Sequence, residues 1–97
     1  MSKQTTEELL QERGERYGSF SSFSDISQSL KNKVYVDLKL DKNRKEDNMV
    51  ILEGMDMIMH KIARILNGDP YYDDNWKDIA GYAKLVADQL NKDENGK

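Results

Sequence analysis

The sequence predicts an all-α fold, an antiparallel helical bundle of about four helices. Apolar residues recur at steps of three and four in residues 23–34, 49–66 and 76–90, and this spacing is the helical period. Capping residues and an NGDP stop separate these segments. A chain of 97 residues is too short for two hydrophobic cores, so we expect a single domain over residues 1–97.

The composition excludes several classes of protein. The chain has no cysteine, which excludes a disulfide scaffold, a zinc ribbon and a thiol nucleophile. Fifteen basic and 18 acidic residues give a net charge of −3, which argues against a nucleic-acid partner. No apolar run approaches the roughly 20 residues that span a bilayer, and the start of the chain has no apolar signal core. We therefore expect a cytoplasmic protein without a membrane partner.

Capping signals place the first two helices. The first is predicted over residues 6–16, where Thr5 and Glu8 have the spacing of a capping box. A second helix follows, and three serines are suited to cap it: Ser21, Ser22 and Ser24. Its apolar residues have helical spacing: Phe23, Ile26, Leu30 and Val34.

Residues 31–48 are predicted as a variable arm or loop. From Val34 to Leu40 apolar and polar residues alternate strictly, which is the period of a strand. Two conformations stay open for this stretch: the end of the second helix or an extended arm. Residues 41–48 contain no apolar residue and are predicted to form an exposed linker.

The third helix, from Met49 to Leu66, is the most apolar part of the chain. The NGDP sequence after it predicts a stop, with Asn67 or Gly68 in a left-handed cap. Eight apolar residues cover one broad face: Ile51, Leu52, Met55, Ile58, Met59, Ile62, Ile65 and Leu66. Four polar residues fall in a narrow stripe opposite: Glu53, Asp56, His60 and Arg64. Apolar residues border this stripe, so we expect it to be partly enclosed.

The fourth helix is predicted from a cap at Asp74 or Asn75 to about Leu90, with a flexible tail over residues 92–97. Seven residues form its predicted core face: Trp76, Ile79, Ala80, Ala83, Val86, Ala87 and Leu90. Leu85 falls on another face, and the third helix is apolar around more than half of its circumference. Because one short chain cannot cover this much apolar surface, we expect a homo-oligomer.

Carboxylates are the strongest candidates for functional residues, because the sequence has neither a nucleophilic triad nor a phosphate-binding glycine loop. The pairs Glu53-x-x-Asp56 and Asp74-x-x-x-Asp78 supply the oxygen ligands that Mg²⁺ prefers. The expected metal ligands are Glu53, Asp56 and Asp78. Two basic residues would then meet the phosphates of a ligand: Lys61 and Arg64. The alternative is structural, with ion pairs along the third helix and acids that suit the positive N-terminus of the fourth.

Residues 60–90, HKIARILNGDPYYDDNWKDIAGYAKLVADQL, together with ERYGSF at residues 15–20, resemble a family of small proteins from tailed phages and prophages. That family is distantly similar to the MazG-like all-α nucleoside triphosphate pyrophosphohydrolases, in which two helix-borne acidic pairs hold Mg²⁺. MazG-like enzymes carry E-E-x-x-E followed by E-x-x-D, whereas this chain has Glu53-x-x-Asp56 followed by Asp74-x-x-x-Asp78. The resemblance implies a MazG-like oligomeric bundle and a degenerate Mg-dependent pyrophosphohydrolase with little or no catalysis.

The resemblance further implies that the protein binds a nucleotide or related phosphate in the host cell cytoplasm, where it would sequester a nucleotide signal. The residues expected to bind this ligand are His60, Lys61, Arg64, Asp74, Asp78 and Tyr82. Arg64 and Asp78 would face one another across a helical hairpin, as a ligand site or as a partly buried salt bridge. A second hypothesis is a phage inhibitor of a host defence or regulatory protein, acting through its acidic surface and residues 31–48.

Overall fold

The computed structural model describes residues 5–95, and this part of the chain forms four helices and no strand. The helices are α1 (Thr6–Tyr17), α2 (Phe20–Asp37), α3 (Lys45–Asn67) and α4 (Asp73–Asn95). The predicted all-α class and the number of helices are confirmed. Within the described residues no helix is long and apolar enough to cross a membrane.

Side-chain caps begin the first two helices. The Thr5 hydroxyl accepts a hydrogen bond from the backbone N–H of Glu8 at 3.1 Å, as the capping pattern predicts. The N-cap of α2 is Ser19, whose hydroxyl accepts from the backbone N–H of Ser22 at 3.1 Å. Helix α2 therefore begins before the three serines that the sequence suggested as caps. Gly18 joins the two helices at φ +79, a backbone conformation that glycine adopts without strain.

Of residues 31–48, for which an arm or loop is predicted, only residues 38–44 are non-helical, and of the two conformations left open for the alternating stretch the structure shows the helix end. Helix α2 continues to Asp37, so the alternating stretch is mainly a helix end and no strand forms there. Helix α3 begins at Lys45, and only residues 38–44 connect the two helices. Asp47 explains the early start, because its buried carboxylate accepts from the Arg44 Nε at 2.9 Å and from the Gln89 Nε2 at 3.1 Å.

Helix α3 is the centre of the molecule and packs against each of the other three helices. The α2 helix runs antiparallel to it, since Tyr35 contacts Asp56 near one end and the Asn67 Nδ2 donates to the Ser19 carbonyl at the other. The α4 helix is also antiparallel to α3. The predicted antiparallel arrangement is therefore present, with α2 and α4 on two sides of α3.

The ends of α3 and α4 differ from the prediction. Gly68, the C-cap of α3, has φ −142, so it does not adopt the expected left-handed conformation. The side chain of Asn67 instead ties the end of α3 to the start of α2. Helix α4 extends to Asn95, so residues 92–95 of the predicted tail are helical, and residues 96–97 lie outside the described residues.

The hydrophobic core is small. Among the described residues only Met59 and Ala63 are fully buried apolar side chains, at 2% and 0% exposure. Part of the predicted core face of α4 is exposed: Trp76, Ala80, Ala83 and Ala87. The buried or half-buried positions of that helix are Asn75, Ile79, Tyr82, Val86, Gln89 and Leu90. Helix α4 is therefore rotated relative to the prediction, and the polar Asn75 takes a buried position.

Candidate functional site

The α3–α4 hairpin sets the geometry of the candidate site. Asp47 bonds to Gln89 at one end of the hairpin, and Lys61 pairs with Asp78 towards the other. Between them lies Gly54, at which an added Cβ would come within 2.4 Å of the Val86 Cγ2. Gly54 thus allows α4 to approach the α3 backbone closely, and this approach fixes the register of the side chains on both helices.

One ion pair joins the predicted ligand residues across the hairpin. The Lys61 Nζ lies 3.0 Å from the Asp78 carboxylate, with Lys61 13% exposed and Asp78 48% exposed. The sequence suggested Arg64 as the residue facing Asp78. In the structure, the relative position of α3 and α4 places Lys61 opposite Asp78 instead. Arg64 is half-buried and lies about one turn further along α3. The structure therefore brings two of the six predicted ligand residues into contact as a pair.

The loop before α4 holds further polar groups near this pair. The Tyr72 hydroxyl donates to the Asp74 carboxylate at 2.6 Å, and the Trp76 indole N–H donates to the Pro70 carbonyl at 3.0 Å. Asn75 is 2% exposed, and its Nδ2 has no hydrogen-bond partner. Because Asn75 and Asp78 are three residues apart, they share one side of α4. A buried amide without a partner therefore lies within a turn of the ion pair.

An apolar groove follows the same side of the hairpin. It has a volume of about 330 Å³ and is lined by Val50, Glu53, Gly54, Met57, Tyr82, Leu85 and Val86. Only Glu53 and Tyr82 contribute polar groups to this lining. Leu85, which the sequence placed away from the core, is 63% exposed at the groove. Tyr82, a predicted ligand residue, thus lies in an apolar groove that borders the polar cluster.

His60 lies on the α2 side of α3 and not at the α4 pair. Its ring meets Phe23 edge-on, with ring centroids 5.8 Å apart and an interplanar angle of 70°. Burial and the nearby positive charge of Lys31 lower the pKa of His60, and Arg64 and Lys61 act in the same direction. Asp56 raises this pKa, with an effect that is weaker than those of burial and Lys31 but stronger than those of Arg64 and Lys61. The imidazole packs between α2 and α3, away from the Lys61–Asp78 pair.

Asp56 also belongs to the α2 side. Its carboxylate accepts a hydrogen bond from the Tyr35 hydroxyl. Burial, that hydrogen bond and the negative charges of Asp56 and Glu53 raise the pKa of Tyr35 to about 12. Glu53 lines the groove, and Asp78 lies on α4 beside Lys61. Among the side chains that the structure describes, no three acidic or histidine residues lie close enough together to hold a metal ion. The three predicted ligands thus have different surroundings: Asp56 bonds to Tyr35 of α2, Glu53 lines the groove and Asp78 pairs with Lys61.

Sequence reasoning missed Asn75 as a buried polar residue and Tyr35 as the partner of Asp56. A signal for Asn75 was present, because Asn75, Ile79, Tyr82 and Val86 follow the helical spacing of a packed face. No local signal identified Tyr35, since its partner is 21 residues away in the chain.

Comparison with known protein families assigns this chain to one family. A family model described as a domain of unknown function (DUF6378) matches residues 3–90. Searches among curated proteins and among solved structures gave no match. Since the family model covers most of the chain, the protein belongs to the DUF6378 family.

Proposed function

We propose that this protein binds a nucleotide or a related phosphate-bearing molecule at the end of the α3–α4 hairpin, with little or no catalysis. The main support is the ion pair there between a largely buried Lys61 and a half-exposed Asp78, which lies about one turn along α4 from Asn75, whose buried Nδ2 has no hydrogen-bond partner. A buried polar group without a hydrogen bond costs about 1–3 kcal/mol. A ligand that supplies an acceptor at this position would remove that cost.

Lys61 is the residue on which the proposal depends. Asp78 already neutralises its ammonium group, so an incoming phosphate has to displace the carboxylate or bind beside it. Arg64, about one turn further along α3, adds a second positive charge to the same region. The exposed Trp76, held by its bond to the Pro70 carbonyl, offers an aromatic face for a base.

Magnesium is not part of the proposed binding step. The sequence predicts Mg²⁺ at Glu53, Asp56 and Asp78, but Asp56 bonds to Tyr35 on the other side of α3 from α4. A ligand that pairs directly with Lys61 needs no metal. If Mg²⁺ bridged the phosphate to Asp78, binding would require the metal and would be lost in Asp78→Asn.

The test is a thermal shift measurement with nucleoside mono-, di- and triphosphates and cyclic nucleotides, each with Mg²⁺ and with EDTA. A ligand at about 100 times its Kd stabilises the folded state by about 2.7 kcal/mol, so the melting temperature rises clearly. We expect Lys61→Met to abolish this rise and Asp78→Asn to preserve or increase it. Asp78 is 48% exposed, so we expect Asp78→Asn to keep the fold, and circular dichroism checks the fold of both variants.

The matched control is Lys77→Met. Lys77 forms an ion pair with Asp73 at 2.9 Å in the first turn of α4, and both side chains are exposed. This control should leave the ligand response unchanged. No shift with any nucleotide, or an equal loss in Lys77→Met and Lys61→Met, would contradict the proposal.

A second proposal is a phage protein that inhibits a host defence or regulatory protein through surface contacts. It is favoured by two apolar side chains on α2, Phe20 and Val36, which are each 80% exposed. Pull-down from host lysate with wild type and with Phe20→Ser/Val36→Ser tests it. A specific partner lost in the double variant, together with no nucleotide response, would favour this function over ligand binding.

A further inference from the structure

We infer that the apolar groove between α3 and α4 is covered by a second copy of this chain. The sequence predicts an oligomer from Leu85 and the apolar third helix, and the structure places an apolar groove on the Val50, Met57 and Leu85 side of the hairpin. This inference is independent of the proposed ligand, because a second copy can cover the groove whether or not a phosphate is bound.

The first support is the chemistry of the groove. Its floor is formed where Gly54 allows Val86 to approach, and apolar side chains of both helices form its walls. Leu85 stands at the edge, 63% exposed, and cannot fill the groove beside it. A projecting leucine and an apolar groove on one face are self-complementary. A twofold pairing of two copies would seat each Leu85 against the groove of the other chain.

The second support is the accessible surface of the chain. It amounts to 7517 Å² for a mass of 11.3 kDa. A compact monomer of that mass exposes about 5,700 Å². This excess, about 1,800 Å², is spread over an elongated molecule with extents of 54 × 33 × 23 Å, and it is larger than the roughly 800 Å² that each partner buries in a standard interface. A small molecule in a groove of about 330 Å³ would cover only part of this excess, whereas a second copy has the required area.

The test is the mass in solution by light scattering at micromolar and higher concentrations, without nucleotide. We expect about twice the 11.3 kDa chain mass for the wild type and the mass of one chain for Leu85→Lys. Leu66→Lys is the matched control, because Leu66 has the same 63% exposure. It follows Met57 by nine residues and so lies about 180° around α3 from the groove. This control should keep the wild-type mass.

A second measurement uses the absence of cysteine from the chain. Leu85→Cys and Leu66→Cys each introduce one thiol, and maleimide labelling follows its access to solvent. We expect labelling of Leu85→Cys to slow as protein concentration rises, while Leu66→Cys labels at a constant rate. A monomeric wild type, or a loss of mass in Leu66→Lys with none in Leu85→Lys, would overturn the inference. Neither result would bear on nucleotide binding, which Lys61→Met tests separately.

Discussion

Replacing Gly54 by alanine tests how closely α3 and α4 approach. In a helix interior this change normally stabilises by about 0.8–1.0 kcal/mol, because alanine has the higher helix propensity. At Gly54, however, the new Cβ would lie 2.4 Å from the Val86 Cγ2. Carbon atoms prefer a separation of about 3.5–4.0 Å, so α4 or the valine has to move by at least about 1 Å. Valine is stiff about χ1, and the adjustment therefore has to involve the backbone.

Overpacking of this kind costs about 1–3 kcal/mol. After the gain in propensity, we expect Gly54→Ala to lower the free energy of unfolding by up to about 2 kcal/mol. Gly81→Ala is the control, because nothing lies within 4 Å of a Cβ at that helical position. It should stabilise by about 1 kcal/mol. Urea denaturation of both variants at one protein concentration measures the difference.

Val86→Ala removes the methyl group that the new Cβ would meet. The Gly54→Ala/Val86→Ala double variant should therefore lose less free energy of unfolding than the two single variants together, since neighbouring substitutions are not additive. Equal stabilisation by Gly54→Ala and Gly81→Ala would refute the close approach, and with it the register that pairs Lys61 with Asp78.

Two further predictions concern buried polar groups. The pKa of His60 is lowered in the folded state, so the unfolded chain binds the proton more readily. The contribution of His60 to the free energy of unfolding is therefore fully present above pH 6.5 and falls as the pH drops below that value. The ring signal of this single histidine should titrate below 6.5 by NMR, and His60→Gln should flatten stability over that range. Asp47→Ala should cost about 1–3 kcal/mol by urea denaturation, since it leaves the bonds from Arg44 and Gln89 unmade. Asp73→Ala, which removes an exposed pair, should change stability too little to measure, and a comparable loss there would contradict the role of Asp47.

The sequence contained enough local information to predict the helices but not their contacts. Helical spacing placed the centres of α2, α3 and α4, and Thr5 acts as the predicted cap. The start of α3 was missed because residues 41–48 have no apolar side chain. Asp47 is nevertheless buried there, since its partner Gln89 comes from 42 residues away. An interaction over that distance in sequence leaves no periodic signal near the residue.

The sequence indicated charged residues for the candidate site but not which of them form an ion pair. Lys61, Arg64 and Asp78 were identified from charge and spacing, but which base meets the acid depends on the relative position of two helices along their axes. One turn separates Lys61 from Arg64, and the contact at Gly54 and Val86 decides between them. Three carboxylates were expected to converge, yet α3 directs Asp56 towards α2. A helical wheel shows which residues share a face but does not show which neighbouring helix covers that face.

If a second copy covers the groove, self-association contributes to the stability of this fold with its small core. Among the described residues Met59 and Ala63 alone are fully buried apolar side chains, so under this inference a second copy would bury much of the apolar surface of α3 and α4 that the single chain leaves exposed. Unfolding would then separate two chains, and the melting temperature would depend on protein concentration. For two chains of this length we expect a rise of about 4 °C for each tenfold increase in concentration.

Calorimetry over a hundredfold range of concentration measures this dependence. Leu85→Lys should melt at a lower temperature than the wild type, and its melting temperature should be the same at every concentration. Leu66→Lys should keep the wild-type dependence, because its side chain lies on the opposite side of α3 from the groove. A wild-type melting temperature that does not change with concentration would mean that the isolated chain is stable with its groove in water. The exposed Leu85 would then contribute nothing to folding.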